Sequence, residues 1–401
     1  MGASACSSPG VSSLAAVALD AELARRLDAA NLEGRLALQA ARRGRLQAAV
    51  LQEVLQPPEL ARAICIAVGF RAARDLSAAS RAHGDGVRSA LPALYLEMPP
   101  QFYVCGGCSS GVELALVERF DLTSGLWTTM PPMPTARRWC GAAALRGMVY
   151  VVGGHLEGEV SDAVERYNVS AGMWEVMPAL PTAREACAVA VSGGQLYVLG
   201  GSRNEEALLA SERFDPDELG FSDGPGWEKL SDMPAARDAC CVATVDGRIF
   251  VLGGRDDTGF LASGDVLQVS QESWSPLPPM STARLGSSAV AFGTNQIFVF
   301  GGHGESGQAL ASVERFDASL YIWEQIVPLP TARLGCLALC GSVAATSGYI
   351  CIFGGHDGTG AITAAERFEV DDKSSLTDFR WTTLPPLRTP RYACGGASVA
   401  W

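Results

Sequence analysis

One spacing recurs six times along this 401-residue chain and constrains its fold more than any other feature. Glycine pairs begin at positions 106, 153, 200, 253, 301 and 354, so successive pairs lie 47 to 53 residues apart. Most of them follow a short apolar run, such as "YVV" before Gly153. A period of this length is typical of β-propeller blades, in which each repeat forms one small sheet. The sequence therefore predicts a mainly β fold built from a ring of similar units.

A tryptophan and an arginine occupy fixed positions in every unit, and the arginine follows the tryptophan by ten residues. A residue used once in every blade usually belongs to the architecture, so we interpret both sets as structural. The tryptophans are Trp127, Trp174, Trp227, Trp274, Trp323 and Trp381. The arginines are Arg137, Arg184, Arg237, Arg284, Arg333 and Arg391.

An acidic residue accompanies each arginine and precedes it in the same unit, between the glycine pair and the tryptophan. The acidic set consists of Glu118, Glu165, Glu212, Asp265, Glu314 and Glu366. Guanidinium and carboxylate groups form strong bidentate pairs. We therefore predict a repeated ion pair in which each arginine binds the acidic residue of its own unit, for example Arg184 with Glu165.

Each unit has the pattern of four short strands separated by tight turns. The order glycine pair, Glu-Arg-Phe or Glu-Arg-Tyr, tryptophan and Pro-Thr-Ala-Arg resembles the kelch repeat, and the resemblance covers about 300 residues. It implies four-stranded antiparallel blades around a central axis. The fourth unit has Asp265-Val266-Leu267 in place of Glu-Arg-Phe, which leaves open a different pairing of its third strand.

The two ends of the repeat array are incomplete in complementary ways. The first unit begins at Gln101 without a first strand, and the chain finishes with "RYACGGASVAW", which matches a first strand alone. The C-terminal segment is therefore expected to complete the first blade and to cover the edge that an open array would expose. The prediction is a six-bladed propeller over residues 101–401.

Loops on one face of this propeller carry the residues that differ between units. Turns alternate between faces in a meander, so the loops after the glycine pairs share a face with the connections that contain the repeated arginines. In the kelch family such loops are implied to bind a partner protein. The variable positions of these loops include Cys108, and the candidate binding residues are His155, Ser202, Arg255, His303, His356, Arg138, Trp139, Glu185, Asp238 and Tyr392.

Patterns that suggest catalysis or metal binding have structural explanations. "GHGESG" (302–307) matches G-x-G-x-x-G, but a third strand follows it where a dinucleotide site needs a helix. Cysteines recur three residues after five of the arginines, yet symmetry-related ring positions diverge and do not converge on a zinc ion. The prediction is a non-enzymatic protein without catalytic residues, metal or cofactor, with a propeller enzyme as the remaining alternative.

The first hundred residues carry no repeat. Residues 1–15 are predicted to be disordered and residues 16–97 to be helical, because Leu19, Leu23 and Leu27 follow a helical spacing.

Residues 56–95 resemble an F-box, with Pro58-Glu59-Leu60 at the start, an apolar helix, and Arg74-Asp75-Leu76 after it. The resemblance implies that Leu60, Ile64 and Leu76 contact a Skp-type adaptor and, through it, a cullin. The alternative is a generic helical cap on the propeller.

The net charge of −12 argues against nucleic acid as a partner, because phosphate backbones select for Lys and Arg. No apolar stretch approaches the roughly 20 residues of a membrane span, so no membrane association through a helix is expected. A basic n-region is missing as well, which favours a cytoplasmic or nuclear location with reduced thiols. Gly2 lies where myristoylation requires it, but Cys6 replaces the usual Ser or Thr.

These observations favour a protein-interaction function. The leading hypothesis is a substrate-recognition subunit of a cullin-RING ubiquitin ligase, whose propeller binds the target protein. The alternative is a kelch scaffold of the cytoskeleton or of signalling, of the actin-binding type, without a ligase link.

Overall fold

The computed structural model of the chain describes residues 100–218, 226–344, 347–371 and 379–399. Contacts divide the chain between Met98 and Pro99, and every described residue belongs to the second unit. The predicted disordered segment 1–15, the helical region 16–97 and the F-box-like segment 56–95 lie outside the described residues.

Six four-stranded antiparallel sheets form blades around a central channel, so the predicted six-bladed propeller is confirmed. We number the blades along the chain and count the strands of each blade from the channel outward. Blade 1 contains Gly395–Val399, Gln101–Cys105, Val117–Asp121 and Leu126–Met130; blade 2 contains Gly141–Leu145, Met148–Val152, Val164–Asn168 and Met173–Met177; blade 3 contains Ala188–Ser192, Gln195–Leu199, Ser211–Phe214 and Trp227–Lys229. Blade 4 contains Cys241–Val245, Arg248–Leu252, Gly264–Gln268 and Ser273–Leu277; blade 5 contains Ser288–Phe292, Gln296–Phe300, Val313–Asp317 and Ile322–Ile326; blade 6 contains Leu337–Ala344, Ser347–Phe353, Ala365–Asp371 and Arg380–Thr383.

The last strand of the chain closes the ring. Gly395–Val399 pairs antiparallel with Gln101–Cys105, in a register that runs from Gln101↔Val399 to Cys105↔Gly395. Blade 1 is therefore assembled from both ends of the propeller sequence. The pairing covers the edge that Gln101–Cys105 would otherwise present to other chains.

The second strand of each blade is almost completely buried. In Gln195–Leu199, for example, the last four residues are all buried. This strand has a hydrogen-bonded neighbour on each side and a packed blade on each face, so both of its faces are apolar. The continuous apolar runs before the glycine pairs follow from that position.

The hydrophobic core consists of six clusters, each at an interface between neighbouring blades. At the interface of blades 2 and 3, Val152 packs with Val198 and Phe214. Trp227 lies against Phe214 with ring centroids 5.0 Å apart, and its Nε1 donates a hydrogen bond to the carbonyl oxygen of Pro178 at 3.0 Å. Pro178 lies in the connection that leaves blade 2, so this tryptophan joins its own blade to the preceding one.

Four other tryptophans make the same hydrogen bond to the preceding connection. They are Trp127 to Pro385, Trp174 to Pro131, Trp274 to Ser231 and Trp323 to Pro278. In blade 6, Trp381 packs on Phe368 with ring centroids 4.7 Å apart.

Blade 4 keeps the regular pairing despite its different sequence. Asp265 pairs with Val251 in the same register as Glu165 with Val151 in blade 2. The alternative pairing left open by the sequence is not adopted, because the change from Glu-Arg-Phe to Asp-Val-Leu preserves the alternation of inward and outward side chains.

In the described part of the chain the helical element is a single 3-10 turn, Pro216–Glu218, and no helix has the length and apolarity needed to cross a membrane.

Candidate protein-binding face

Each repeated arginine connects two neighbouring blades. Arg184 lies in the connection from blade 2 to blade 3, and its Nη2 contacts Oε1 of Glu212 in blade 3 at 2.8 Å. Its Nη1 donates to the carbonyl oxygens of Gly200 and Ala210, also in blade 3, at 2.9 and 3.0 Å. Both charged side chains are buried. A guanidinium thus contacts backbone acceptors and a carboxylate oxygen of the next blade together.

The predicted pairing within a unit is wrong, because the arginine side chain points forward to the next blade. Glu165, assigned to Arg184 by its spacing, is instead paired with Arg137 of the preceding connection. The six pairs have nitrogen–oxygen distances of 2.5 to 2.9 Å and are Arg137–Glu165, Arg184–Glu212, Arg237–Asp265, Arg284–Glu314, Arg333–Glu366 and Arg391–Glu118. Burial raises the pKa of Glu118 and of Glu366, while the facing Arg391 and Arg333 oppose that change.

The glycine pairs form the turn into which the following connection packs. Gly153 has φ of +59°, and a Cβ on it would lie 2.4 Å from the carbonyl oxygen of Arg184. The N–H of Gly154 donates to that same oxygen at 2.9 Å. The first position therefore needs glycine for both its backbone angle and its space, and the pair is a structural turn.

The loops after the glycine pairs and the arginine connections lie side by side on one face, which we call the loop face. A β-bridge joins the residue after each glycine pair to the residue after an arginine. The bridges are Arg138↔His155, Glu185↔Ser202, Asp238↔Arg255, Leu285↔His303, Leu334↔His356 and Cys108↔Tyr392. Nine of the ten candidate binding residues take part in these bridges, and the tenth, Trp139, directly follows Arg138.

Two positions on this face were missed by the sequence analysis. Leu285 and Leu334 follow their arginines just as Glu185 and Asp238 do, so the same offset would have found them. Four blades also extend the loop after the glycine pair into a two-stranded ribbon. The ribbons are Cys108–Ser109 with Val112–Glu113, His155–Leu156 with Glu159–Val160, Ser202–Arg203 with Glu206–Ala207, and Arg255–Asp256 with Gly259–Phe260.

A ring of backbone hydrogen bonds surrounds the mouth of the channel at the centre of the loop face. It is formed by the second residue after each arginine, and each N–H donates to the carbonyl of the preceding member at 2.7 to 2.9 Å. All six residues have φ between 46° and 61°. The members of this mouth ring are Trp139, Ala186, Ala239, Gly286, Gly335 and Ala393.

Trp139 is the one large side chain in the mouth ring. A Cβ built on Gly286, on the far side of the channel, would lie 3.7 Å from its indole. The indole therefore reaches across the mouth and is half-buried there. Below it the channel has a volume of about 570 Å³ and is lined by the small side chains of the first strands.

Aromatic side chains gather around part of the loop face. Tyr392 makes edge contacts with Trp139 and His356, at centroid distances of 6.3 and 5.2 Å. Phe260, on the ribbon of blade 4, packs against His303 at 5.5 Å. We call these five residues the aromatic sector. Half-buried aromatic side chains of this kind are frequent anchors in protein interfaces.

Charged side chains occupy the blades on the other part of the loop face. Glu113 Oε1 lies 3.6 Å from Arg138 Nε and 3.5 Å from His155 Nδ1. Asp238 Oδ2 accepts a hydrogen bond from Arg255 Nη2 at 2.7 Å. Between these groups, burial raises the pKa of Glu185, and the charges of His155 and Arg138 oppose that change.

The cysteines that follow the arginines line the channel. Burial raises the pKa of Cys187 and Cys336 to about 11 and that of Cys240 and Cys394 to about 12. They are therefore protonated thiols near neutral pH, whereas metal ligands and nucleophiles are thiolates. Within the described ranges, no three His, Cys, Asp or Glu residues are grouped so that they could hold a metal ion.

Two family models match the repeat region. The KLHDC2/KLHL20/DRC7 Kelch-repeats domain matches residues 84–254, and the Kelch motif matches residues 236–281 and 284–330. The solved structure of YjhT has a TM-score of 0.58 with 16% identity, and the match covers 71% of this chain and 99% of that one. At that identity the similarity shows a shared fold alone.

Curated relatives match shorter parts of the chain. The F-box/kelch-repeat protein At1g67480 of Arabidopsis thaliana is 33% identical over 137 residues, which are 32% of this chain and 35% of that protein. Kelch-like protein 33 of Homo sapiens is 33% identical over 94 residues, 23% of this chain and 17% of the relative. Beta-scruin of Limulus polyphemus is 28% identical over 193 residues, 43% of this chain and 20% of the relative. The chain thus spans about a third or less of the length of these relatives, and none of their three names specifies an enzymatic activity.

Proposed function

The chain carries a kelch-repeat β-propeller, and on that premise we propose that it selects target proteins for a cullin-RING ubiquitin ligase. The kelch-repeat relatives support the broader function, a protein-interaction module. In this proposal the loop face binds the target, and residues 56–95 bind a Skp-type adaptor.

One contrast within the propeller carries the target-binding part of the proposal. The charged residues that recur in every blade are buried in contacts between blades, as Arg184 and Glu212 are. The residues that differ from blade to blade lie together on the loop face and are mostly half-buried or exposed. Side chains that take no part in the contacts between blades are available to contact a partner.

The ligase link is supported by the F-box resemblance of residues 56–95. The name of one relative, F-box/kelch-repeat protein, joins an F-box with a kelch repeat. Recognition of an adaptor by an F-box would bury the apolar side chains of Leu60, Ile64 and Leu76.

A double variant of the full-length chain tests this link. Leu60→Glu with Leu76→Glu should weaken capture of a purified Skp-type adaptor at least about a hundredfold, because desolvating two carboxylates in an apolar interface costs several kcal/mol. Leu23→Glu with Leu27→Glu, the same two changes outside the F-box-like segment, is the matched control and should leave adaptor capture unchanged. Thermal unfolding of the propeller should be the same in all three proteins.

Two results would contradict the ligase proposal. Wild-type chain that captures no adaptor would leave the alternative, a cytoskeletal or signalling scaffold without a ligase link. A double variant whose propeller melts at a clearly lower temperature would show that residues 56–95 act as a cap.

A further inference from the structure

Asp238 is a buried carboxylate that lies outside the six repeated ion pairs between blades. In the part of the chain that the structure describes, thirteen charged residues are buried, and twelve of them form the six pairs between blades. The thirteenth is Asp238, which is 4% exposed. Its Oδ2 is bound by Arg255, but its Oδ1 has no hydrogen-bond partner among the described residues. A buried carboxylate oxygen without a donor is costly, and this one lies at the loop face.

Asp238 lines a cleft between two ribbons. The ribbon of blade 3 and the ribbon of blade 4 flank a cavity of about 990 Å³ that opens on the loop face. Carboxylates dominate its lining: five line the cleft, and the one basic residue in the lining is Arg255. The acidic residues are Glu205, Glu206, Asp238, Asp256 and Asp257. The formal charge of the lining is therefore −5 + 1, or −4.

Two carboxylates of this cleft, those of Asp256 and Asp238, are held in place by hydrogen bonds. Asp256 Oδ1 accepts hydrogen bonds from the hydroxyl of Thr258 and from the N–H groups of Thr258 and Gly259, which lowers its pKa. Asp238 raises the pKa of Arg255, and Glu205 and Glu185 add to that increase, so these groups lie near enough to attract one guanidinium. The side chain of Arg255 is nevertheless 44% exposed and lines the open cleft.

We propose that this cleft binds an arginine side chain of the target protein, an inference that rests on the proposed function. A guanidinium carries five N–H donors in a planar fork and can serve several carboxylates at once. Arg255 already shows the geometry on Asp238, with a 2.7 Å contact to one of its two oxygens. Nucleic acid is disfavoured, because its phosphates would be repelled by a lining of charge −4.

Selection of peptides by the full-length chain tests the cleft. An mRNA-display library of random twelve-residue peptides is the probe, and peptides that bind wild-type chain should be enriched in arginine. The Glu205→Gln/Glu206→Gln variant should bind a selected peptide about tenfold more weakly, because two charge pairs are lost. Replacing the enriched arginine of the peptide with citrulline, which is neutral, should cause a similar loss.

A second pair of exposed glutamates provides the matched control. Glu157→Gln/Glu159→Gln changes the charge of the neighbouring ribbon by the same amount on the same face, but these residues do not line the cleft. That variant should bind the peptide within about twofold of wild type. All four glutamates are exposed, so thermal unfolding should be unchanged in both variants.

The possible failures are distinguishable. Selected peptides without enriched arginine, or arginine peptides that bind both variants equally, would overturn the cleft assignment. Peptides whose binding is lost in Trp139→Ala but not in Glu205→Gln/Glu206→Gln would place binding in the aromatic sector and also overturn it. Failure to enrich any peptide would overturn it too, while adaptor capture reports on the ligase proposal independently.

Discussion

Arg184 belongs to two blades at once. Its carbonyl oxygen is held by the glycine pair of blade 2, where it accepts from Gly154, while its guanidinium is buried against Glu212 of blade 3. Removing one member of such a buried pair leaves the other charge desolvated and unpaired, which is far more costly than the net stability of the pair itself.

A double-mutant cycle on Arg184 measures this coupling. Arg184→Ala should lower the free energy of unfolding by about 3 kcal/mol, because Glu212 is left without its partner. Combined with Glu212→Gln, the loss should be clearly less than the sum of the two single changes. Urea unfolding monitored by tryptophan fluorescence gives the free energies.

Glu165 provides the control for that cycle. Its carboxylate is paired with Arg137, so Arg184→Ala and Glu165→Gln should be additive within about 0.5 kcal/mol. A strong coupling of Arg184 to Glu165 would contradict the pairing between blades.

At this scale the sequence predicted which residue types meet but not which copies of them. Pairing of each arginine with the acidic residue before it and pairing with the acidic residue after it are equally compatible with the repeat. The choice depends on the direction in which the arginine side chain leaves the connection. That direction is set by the packing of one blade on the next and is not encoded in the spacing.

At the scale of a single loop, the glycine pair and the connection that contains the arginine pack directly against each other. The positive φ of Gly153 turns the chain sharply, and the connection that contains Arg184 occupies the space that a Cβ would need. Every blade repeats this packing, so the loop face has a uniform base beneath its variable side chains.

Gly153→Ala should therefore destabilise the propeller by about 3 kcal/mol, from the left-handed backbone of a residue with a Cβ and from the clash with the Arg184 carbonyl. Gly158→Ala is the matched control, because Gly158 has φ of +88° but no atom within 4 Å of an added Cβ. It should cost only about 1 kcal/mol. Equal losses in the two variants, measured by thermal unfolding, would show that backbone angle alone explains the glycine pair.

The four strands of each blade were predictable, whereas the ribbons were not. Apolar runs and turn residues identify strands such as Met148–Val152. A ribbon arm of two residues, such as Glu206–Ala207, is too short to show any periodicity. The cleft lined by Asp238 depends on two such ribbons, so it was beyond sequence analysis even though Asp238 and Arg255 were both candidates.

At the scale of the whole molecule, closure depends on a short segment at the end of the chain. Residues 391–399 supply the innermost strand of blade 1 and the Arg391 guanidinium that binds Glu118. Without them, Gln101–Cys105 becomes an exposed edge and two neighbouring blades lose their shared core.

A truncation after Pro390 should therefore lose the single cooperative thermal transition of the propeller and gain a tendency to aggregate. A truncation after Val399 is the control, since it keeps both the strand and Arg391, and it should melt as wild type does. A chain ending at Pro390 that still unfolds in one transition at the wild-type temperature would contradict closure by the last strand.

The number of blades and the closing strand could be predicted because repetition multiplies a weak signal six times. The distribution of charge around the loop face could not, since it depends on which non-repeated side chains the ring brings together. Glu113 and Arg138, for example, are separated along the chain by the two outer strands of blade 1, and they meet only because blades 1 and 2 are neighbours.

The mouth ring has an electrostatic consequence for anything that approaches the channel. Its six N–H···O=C bonds run in one sense around the axis, so their dipoles are tangential and nearly cancel in the sum. A helix N-terminus or a nest of N–H groups would instead concentrate positive potential at one point and attract an anion. The backbone at the centre of this face therefore favours neither a positive nor a negative ligand. Side chains such as Glu185 and Asp238 determine which charge is preferred.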